Sequence, residues 1–186
     1  EPWALQLPGR EDRLEEDCLT EWNEALTTTV EEFEVMAAGR PLHFYGHSLG
    51  ALMALDTSVR LKARGIPLGK VVMGAPPGRL RMTDSEDNGD ALSRLEARYG
   101  PAPASFETPD IRDVVLPILQ ADLKLLAGAP TPAGIPDHLL LGTEDPSAQD
   151  AKQDYARAPV TEIAAGHYFA STHPAETVAA VLTAIR

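Results

Sequence analysis

Disulfides are the first thing this chain cannot have. Cys18 is the sole cysteine among 186 residues, so no internal bridge braces the fold, and its thiol reads as a buried or half-buried group in a reducing compartment. Long apolar runs are missing too. Nothing approaches the roughly 18 residues needed to cross a bilayer, which argues against a membrane protein. The opening EPWALQLPGRED has neither the basic stretch nor the apolar core of a secretory leader, and a cytoplasmic location is expected. Positive charge is scarce: 16 Lys and Arg stand against 28 Asp and Glu, a net charge of −12. That balance disfavours nucleic acid or an anionic membrane as the main partner. No repeat or low-complexity segment is visible. What remains is ordinary globular composition, 44% hydrophobic and 24% charged, over a length that suits one domain with one core, here residues 1–186.

Apolar spacing divides that domain into alternating elements. The run at residues 3–7, stopped by Pro8-Gly9, reads as a strand. Trp22, Leu26, Val30, Phe33 and Ala37 recur at helical spacing, with Glu15, Glu16, Asp17 and Glu21 clustered at the start and Gly39-Arg40-Pro41 at the stop. Residues 42–45 form the next expected strand. Leu49, Leu52, Met53 and Val59 mark a helix that ends near Gly65-Ile66-Pro67. Strands are expected at 70–73, 138–141 and 160–164, and a terminal helix carries Val178, Val181, Leu182 and Ile185. Strands alternating with helices predict an α/β fold, with a mostly parallel sheet and helices on both faces. Residues 78–133 break the rhythm. A polar segment at 82–90 and a Pro-containing linker precede Ile111, Val115, Leu119 and Leu126 at helical spacing after Thr108-Pro109, with Pro117 expected to kink that helix. The insertion is read as a helical lid; packing decoration is the alternative.

One short motif calls for such a lid. Gly46-His47-Ser48-Leu49-Gly50 spells G-x-S-x-G, a pattern that chance alone supplies about once in twenty chains of this length. Its setting is more specific than its letters. An expected strand precedes Ser48 and a helix follows it, the arrangement of a nucleophile elbow, in which a tight turn exposes the serine hydroxyl. The Leu49 N–H would then point at a developing oxyanion from the positive end of the helix. The bland reading is a Gly-rich turn with a capping serine. A hydroxyl needs a base, and the base needs a carboxylate to orient it. Of five histidines, His43 lies within a strand and His138 opens one. His173 precedes Pro174, and the turn directs His47 elsewhere. His167 follows the last strand in Gly166-His167-Tyr168-Phe169 and is the expected base. The acid is expected at Asp145, in the loop Gly142-Thr143-Glu144-Asp145-Pro146; Glu144 is longer and less suited, while Asp150 and Asp154 fall in the following helix. The order Ser48, Asp145, His167 is that of the α/β-hydrolases.

The chain also resembles a known family. Gln6-Leu7-Pro8-Gly9-Arg10-Glu11-Asp12-Arg13 is similar to the L-P-G-R-x-x-R segment of the type II (editing) thioesterases of polyketide and non-ribosomal peptide synthases. Phe44 to Ala51 resembles their nucleophile segment, and Leu116-Pro117-Ile118-Leu119-Gln120-Ala121-Asp122 their L-P-x-x-x-x-D lid stretch. Gly142 to Pro146 and Gly166 to Phe169 resemble their acid and base segments. The resemblance covers nearly the whole chain. It implies an α/β-hydrolase fold and hydrolysis of acyl or aminoacyl thioesters held on the phosphopantetheine arm of acyl or peptidyl carrier protein domains. It implies catalytic Ser48, Asp145 and His167, an oxyanion donor at the Leu49 N–H, no metal and no cofactor of the enzyme's own. Two departures stand out. The family's leading strand and Gly-rich loop, which supply a second oxyanion donor, have no counterpart before Leu7, so residues ahead of Glu1 are expected, with Pro8-Gly9-Arg10 as the alternative donor. The chain is as acidic as carrier proteins commonly are, and half of its Lys and Arg fall between Arg60 and Arg98, where a docking patch is expected. An integrated chain-terminating thioesterase is the near alternative, but the strand ending Met73-Gly74-Ala75-Pro76 lacks the acid that type carries. A carboxylesterase, or a carrier- or ligand-binding module with a vestigial triad, remains further off.

Overall fold

Four parallel strands lie side by side in the order in which the chain makes them: β1 (Leu42–His47), β2 (Leu68–Gly74), β3 (His138–Gly142) and β4 (Val160–Ile163). The computed structural model describes residues 1–78, 91–101, 108–131 and 133–186. The polar segment at 82–90 and the linker at 102–107 lie outside the described residues.

Alternation along the strands divides the core in two. Val71, Met73, Leu139 and Leu141 face one side, against α1 (Trp22–Ala37) and α2 (Leu49–Ala63), where Leu26, Val30, Leu52 and Leu55 are buried. Val72, Leu140 and Ile163 face the other, against Phe169 of the short α6 (Phe169–Thr172) and Val181 of α7 (Pro174–Ala184). A parallel strand covered on both faces reads as a continuous apolar run, and Leu139-Leu140-Leu141 is one. Phe33 of α1 meets Phe44 of β1 edge-on at 5.1 Å. Trp22 donates its indole N–H to Asp56 across the α1–α2 seam at 2.9 Å.

Between β2 and β3 the chain makes α3 (Ala91–Tyr99) and α4 (Pro109–Gly128), and α5 (Ala148–Asp154) follows β3. Pro109 starts α4, where a missing N–H costs nothing, and the helix continues through Pro117. Its outward and inward positions differ from the expected stripe. Ile111 is exposed, while Leu123, Leu125 and Leu126 are buried.

Two expectations near the start need correction. Residues 3–7 form no strand. No neighbour extends the sheet beyond β1 among the described residues; Leu7 packs against the larger core and Leu5 is half-buried along the cavity described below, while Trp3 and Ala4 border that cavity and stay exposed, Trp3 at 64%. The acids at 15–17 belong to the turns between the single 3₁₀ turn Glu11–Arg13 and α1, which begins only at Trp22.

Candidate active site

Ser48 sits between β1 and α2 with φ 53° and ψ −120°, a conformation that side chains other than glycine rarely adopt and that costs about 1–3 kcal/mol. The turn is held on both sides. Ser48 N–H donates to the Gly74 carbonyl at the end of β2 (2.8 Å), and Ala51 N–H to the Ser48 carbonyl (2.9 Å). The two glycines of the motif are not equivalent. A Cβ on Gly46 would run into the Gly50 carbonyl, whereas one on Gly50 would meet nothing within 4 Å. Only the first glycine is demanded by close approach.

The hydroxyl of Ser48 donates to His167 Nε2 at 3.0 Å, and His167 Nδ1–H donates to Asp145 Oδ2 at 2.8 Å. Because the carboxylate can only accept, Nδ1 carries the proton, leaving Nε2 free to receive one from serine. His167 and Asp145 are buried at 2% and 6% exposure. Burial alone would raise the Asp145 carboxyl, but hydrogen bonds from His167 and from Ser147, through both its N–H (2.8 Å) and its hydroxyl (2.7 Å), bring it below the ordinary carboxylate value. Asp145 is therefore held as an anion. Glu144 beside it is exposed, Asp150 is ion-paired with Arg98 at 2.6 Å, and neither reaches the imidazole.

Strand ends bring these loops together. Gly142 closes β3 against the Ala165 and Gly166 carbonyls, where a Cβ would collide. Glu144 N–H donates to the Ala165 carbonyl at 3.0 Å. The acid loop and the base loop are thus clasped by backbone next to the Asp145–His167 bond. Leu49 is the first residue of α2, so its N–H belongs to the first turn, which has no intrahelical acceptor and carries positive potential. At the alternative donor, Pro8-Gly9-Arg10, the first two positions offer no free N–H. Pro8 has no N–H, and that of Gly9 is committed to the Arg13 carbonyl at 2.9 Å.

Four residues escaped the sequence reading. His47 is not turned away from the site: its Nε2–H donates to the His167 carbonyl at 2.9 Å, and Tyr45 O–H donates to its Nδ1 at 3.3 Å. Burial, reinforced by the neighbouring His167, pushes its pKa down to about 4. Tyr99, at the end of α3, stacks on the His167 ring with centroids 4.3 Å apart. Arg10 and Asp122 form a two-bonded ion pair at 2.9 and 3.2 Å, fastening the N-terminal segment to α4. Opposite charges within two segments that matched the same family were the one available signal for that pair.

A cavity of about 680 Å³ opens on Ser48. The leading segment contributes Trp3, Leu5 and Leu7, α3 contributes Leu95 and Tyr99, and α4 contributes Leu119, Asp122, Leu123 and Leu126. Among the described residues no cluster of His, Cys, Asp and Glu is placed to hold a metal ion, and no helix is long and apolar enough to cross a membrane. Of the eight Lys and Arg residues between Arg60 and Arg98, where docking of a partner is expected, four are engaged by side chains of other described residues, three of them by acids. Arg60 bonds Asn23, while Arg64, Lys70 and Arg98 pair with Glu34, Asp137 and Asp150.

Comparison with known proteins bears on the family and the fold. The thioesterase domain family model matches residues 2–183. A probable cadicidin biosynthesis thioesterase of Streptomyces griseus is 26% identical over 91% of the chain, which spans about half (51%) of that relative's length. Two solved structures share the fold. The type II thioesterase BorB of the borrelidin cluster has a TM-score of 0.74 at 24% identity, over 98% of this chain and 80% of its own. ClbQ of the colibactin pathway has a TM-score of 0.77 at 19% identity, over 97% and 83%. The fold is that of the α/β-hydrolases.

Proposed function

The chain belongs to the thioesterase domain family, and from that premise we propose that it hydrolyses acyl or aminoacyl thioesters carried on the phosphopantetheine arm of carrier protein domains, releasing stalled chains from a polyketide or peptide assembly line in the cytoplasm. The observation that carries this reading is the unbroken chain of hydrogen bonds from Ser48 through His167 to Asp145, with Ser48 on a strained turn at a cavity.

The steps follow from the bonds. Ser48 Oγ attacks the thioester carbonyl as its proton passes to His167 Nε2, and Asp145 stabilises the imidazolium that results. The carbonyl oxygen, now an oxyanion, is met by the Leu49 N–H. Collapse of the tetrahedral adduct breaks the C–S bond, and His167 returns its proton to the departing pantetheine sulfur. Water then attacks the Ser48 ester, again giving its proton to His167. The second collapse frees a carboxylic acid and restores the serine hydroxyl. None of these steps calls for a metal or cofactor. We assign residues 78–133 the role of a lid: α3 and α4 line the cavity, and Tyr99 covers one face of the base.

Ser48→Ala tests the reading. Hydrolysis of an acyl-carrier thioester should fall by several orders of magnitude, on the order of 10⁶ in the comparable protease case, with labelling by a fluorophosphonate probe lost as well. More than a tenth of wild-type turnover in the variant would refute it.

A further inference from the structure

The cavity at Ser48 extends along α2, which turns one stripe toward it: Gly50, Met53, Ala54 and Thr57. These positions have the i, i+3, i+4, i+7 spacing of a single helix face. Thr29 and Phe33 of α1, and Leu123 and Leu126 of α4, line the same space. Asp122 of α4 also borders the space, engaged by Arg10. Of the other side chains just named only the two threonines are polar, and the two are bonded very differently. Thr29 donates its hydroxyl to the Ala25 carbonyl at 2.8 Å. Thr27, Thr28, Thr177 and Thr183 make the same bond to the carbonyl one turn earlier in their helices, the usual resource of a helical threonine. Thr57 does not make it. Its side chain is wholly buried and its hydroxyl has no partner. A buried, unpaired hydroxyl destabilises a fold, and native structures hold few of them without a reason.

We propose that Thr57 is a specificity residue that hydrogen-bonds a polar substituent on the acyl chain, so that this cavity selects oxygenated acyl groups over plain hydrocarbon ones. The inference rests on the thioesterase reading for the carbonyl end of the substrate. The helix itself sets the length. Thr57 lies nine residues beyond Ser48, about 13 Å along α2 at ~1.5 Å per residue. A zigzag carbon chain with ~1.5 Å bonds and ~111° angles advances about 1.25 Å per bond, so about ten bonds reach from the nucleophile to the hydroxyl. The matching substrate is an acyl thioester of roughly eight to ten carbons with a hydroxyl, keto or amide group near its far end. Such a group would complete the missing bond of Thr57, while an unsubstituted chain leaves it unmade. A pocket built to hydrogen-bond one substrate group discriminates against analogues that lack it far more sharply than apolar contact can.

The experiment compares wild type, Thr57→Val and Thr57→Ser. Each protein is given N-acetylcysteamine thioesters of octanoic and decanoic acids and of their ω-hydroxylated counterparts, and the binding of the four free acids is measured by calorimetry. In wild type the ratio of kcat/KM for hydroxylated over plain chains should exceed that of Thr57→Val by tenfold or more at one of the two lengths, and the dissociation constants should shift in parallel. Thr57→Ser should keep the wild-type ratio. In the absence of any acyl ligand, Thr57→Val should melt higher than wild type, because it deletes a hydroxyl that has no partner. A ratio that stays within twofold in Thr57→Val at both lengths overturns the proposal. So does a lower melting temperature, which would mean that the hydroxyl is bonded internally. If wild type cleaves none of the thioesters yet the binding ratio still collapses in Thr57→Val, the thioesterase reading fails and the polar subsite stands.

Discussion

Replacing each glycine of the G-x-S-x-G motif with alanine should have opposite consequences. At Gly46 the new Cβ would overlap the Gly50 carbonyl and lie 2.8 Å from Ala51 N. These are backbone atoms at the start of α2, not the yielding tip of a side chain, so the turn must open by on the order of an ångström. Overpacking of this kind costs about 1–3 kcal/mol. A 1 Å displacement of a reacting group costs roughly 10²-fold in rate. At Gly50 the Cβ enters open space and the backbone is not left-handed, so Gly50→Ala gains the helix preference of alanine, up to about 1 kcal/mol. Urea denaturation reads the stability of both variants, and fluorophosphonate labelling of Ser48 reads the geometry. Gly46→Ala should unfold at lower urea and label at least a hundredfold more slowly. Gly50→Ala should be at least as stable as wild type and still label, whatever its effect on substrates that fill the cavity. Wild-type labelling in Gly46→Ala, or a marked loss of stability in Gly50→Ala, would show that the elbow is not shaped as described.

Three further outcomes are expected. Ser48→Gly should be inactive yet more stable than Ser48→Ala, by about 1–3 kcal/mol, since only glycine relaxes at φ 53°; thermal melts of the pair decide this. His47 takes its proton near pH 4 in the folded state but near 6.5 when unfolded. The unfolded chain therefore binds more protons between those values, so the contribution is complete above pH 6.5 and is lost as pH falls toward 4, by up to about 3 kcal/mol; His47→Phe should flatten the slope of urea stability across that window. Arg10→Ala and Asp122→Ala should each speed amide exchange in α4 with a coupling of no more than about 1 kcal/mol, because the pair is a quarter exposed, and a double variant no worse than either single one would show that the two act together.

Local chemistry accounts for what could be read ahead of the structure. The strand–Ser48–helix order is a contiguous pattern, and Asp145 follows the apolar run Leu139-Leu140-Leu141 of a buried strand, while His167 follows the shorter and more exposed β4. The rest depends on partners far along the chain. Residues 3–7 carry the composition of a strand, but a strand exists only through a neighbour, and among the described residues none pairs with them. His47 was discounted because it adjoins the nucleophile. Its value lies in reaching a carbonyl 120 residues away, and no periodicity signals that. Tyr99 sits in a short polar helix whose pattern gives no reason to single out one ring. Arg10 and Asp122 are 112 residues apart.

The position of the insertion has a topological cause. In a parallel sheet every strand delivers its carboxyl end to the same edge, which is where open α/β sheets place their sites. Ser48 leaves β1 there, Asp145 leaves β3 and His167 leaves β4, so a separation of 119 residues between Ser48 and His167 becomes 3.0 Å. β2 ends at that edge as well, and its last residue, Gly74, accepts the bond from Ser48 N–H. A segment inserted between β2 and β3 therefore emerges beside Ser48 before the chain crosses to the opposite edge, where β3 begins. Among the described residues its helices α3 and α4 place Leu95, Tyr99, Leu119, Leu123 and Leu126 along the cavity at Ser48. Tyr99 on the base and Arg98 on Asp150 of α5 fix where α3 comes to rest. Arg10, reaching from the opposite end of the chain, fixes α4. α3 and α4 also pack against each other, so the contacts made by Arg10, Arg98 and Tyr99 hold one packed pair at Ser48, with Tyr99 the residue that meets the His167 ring.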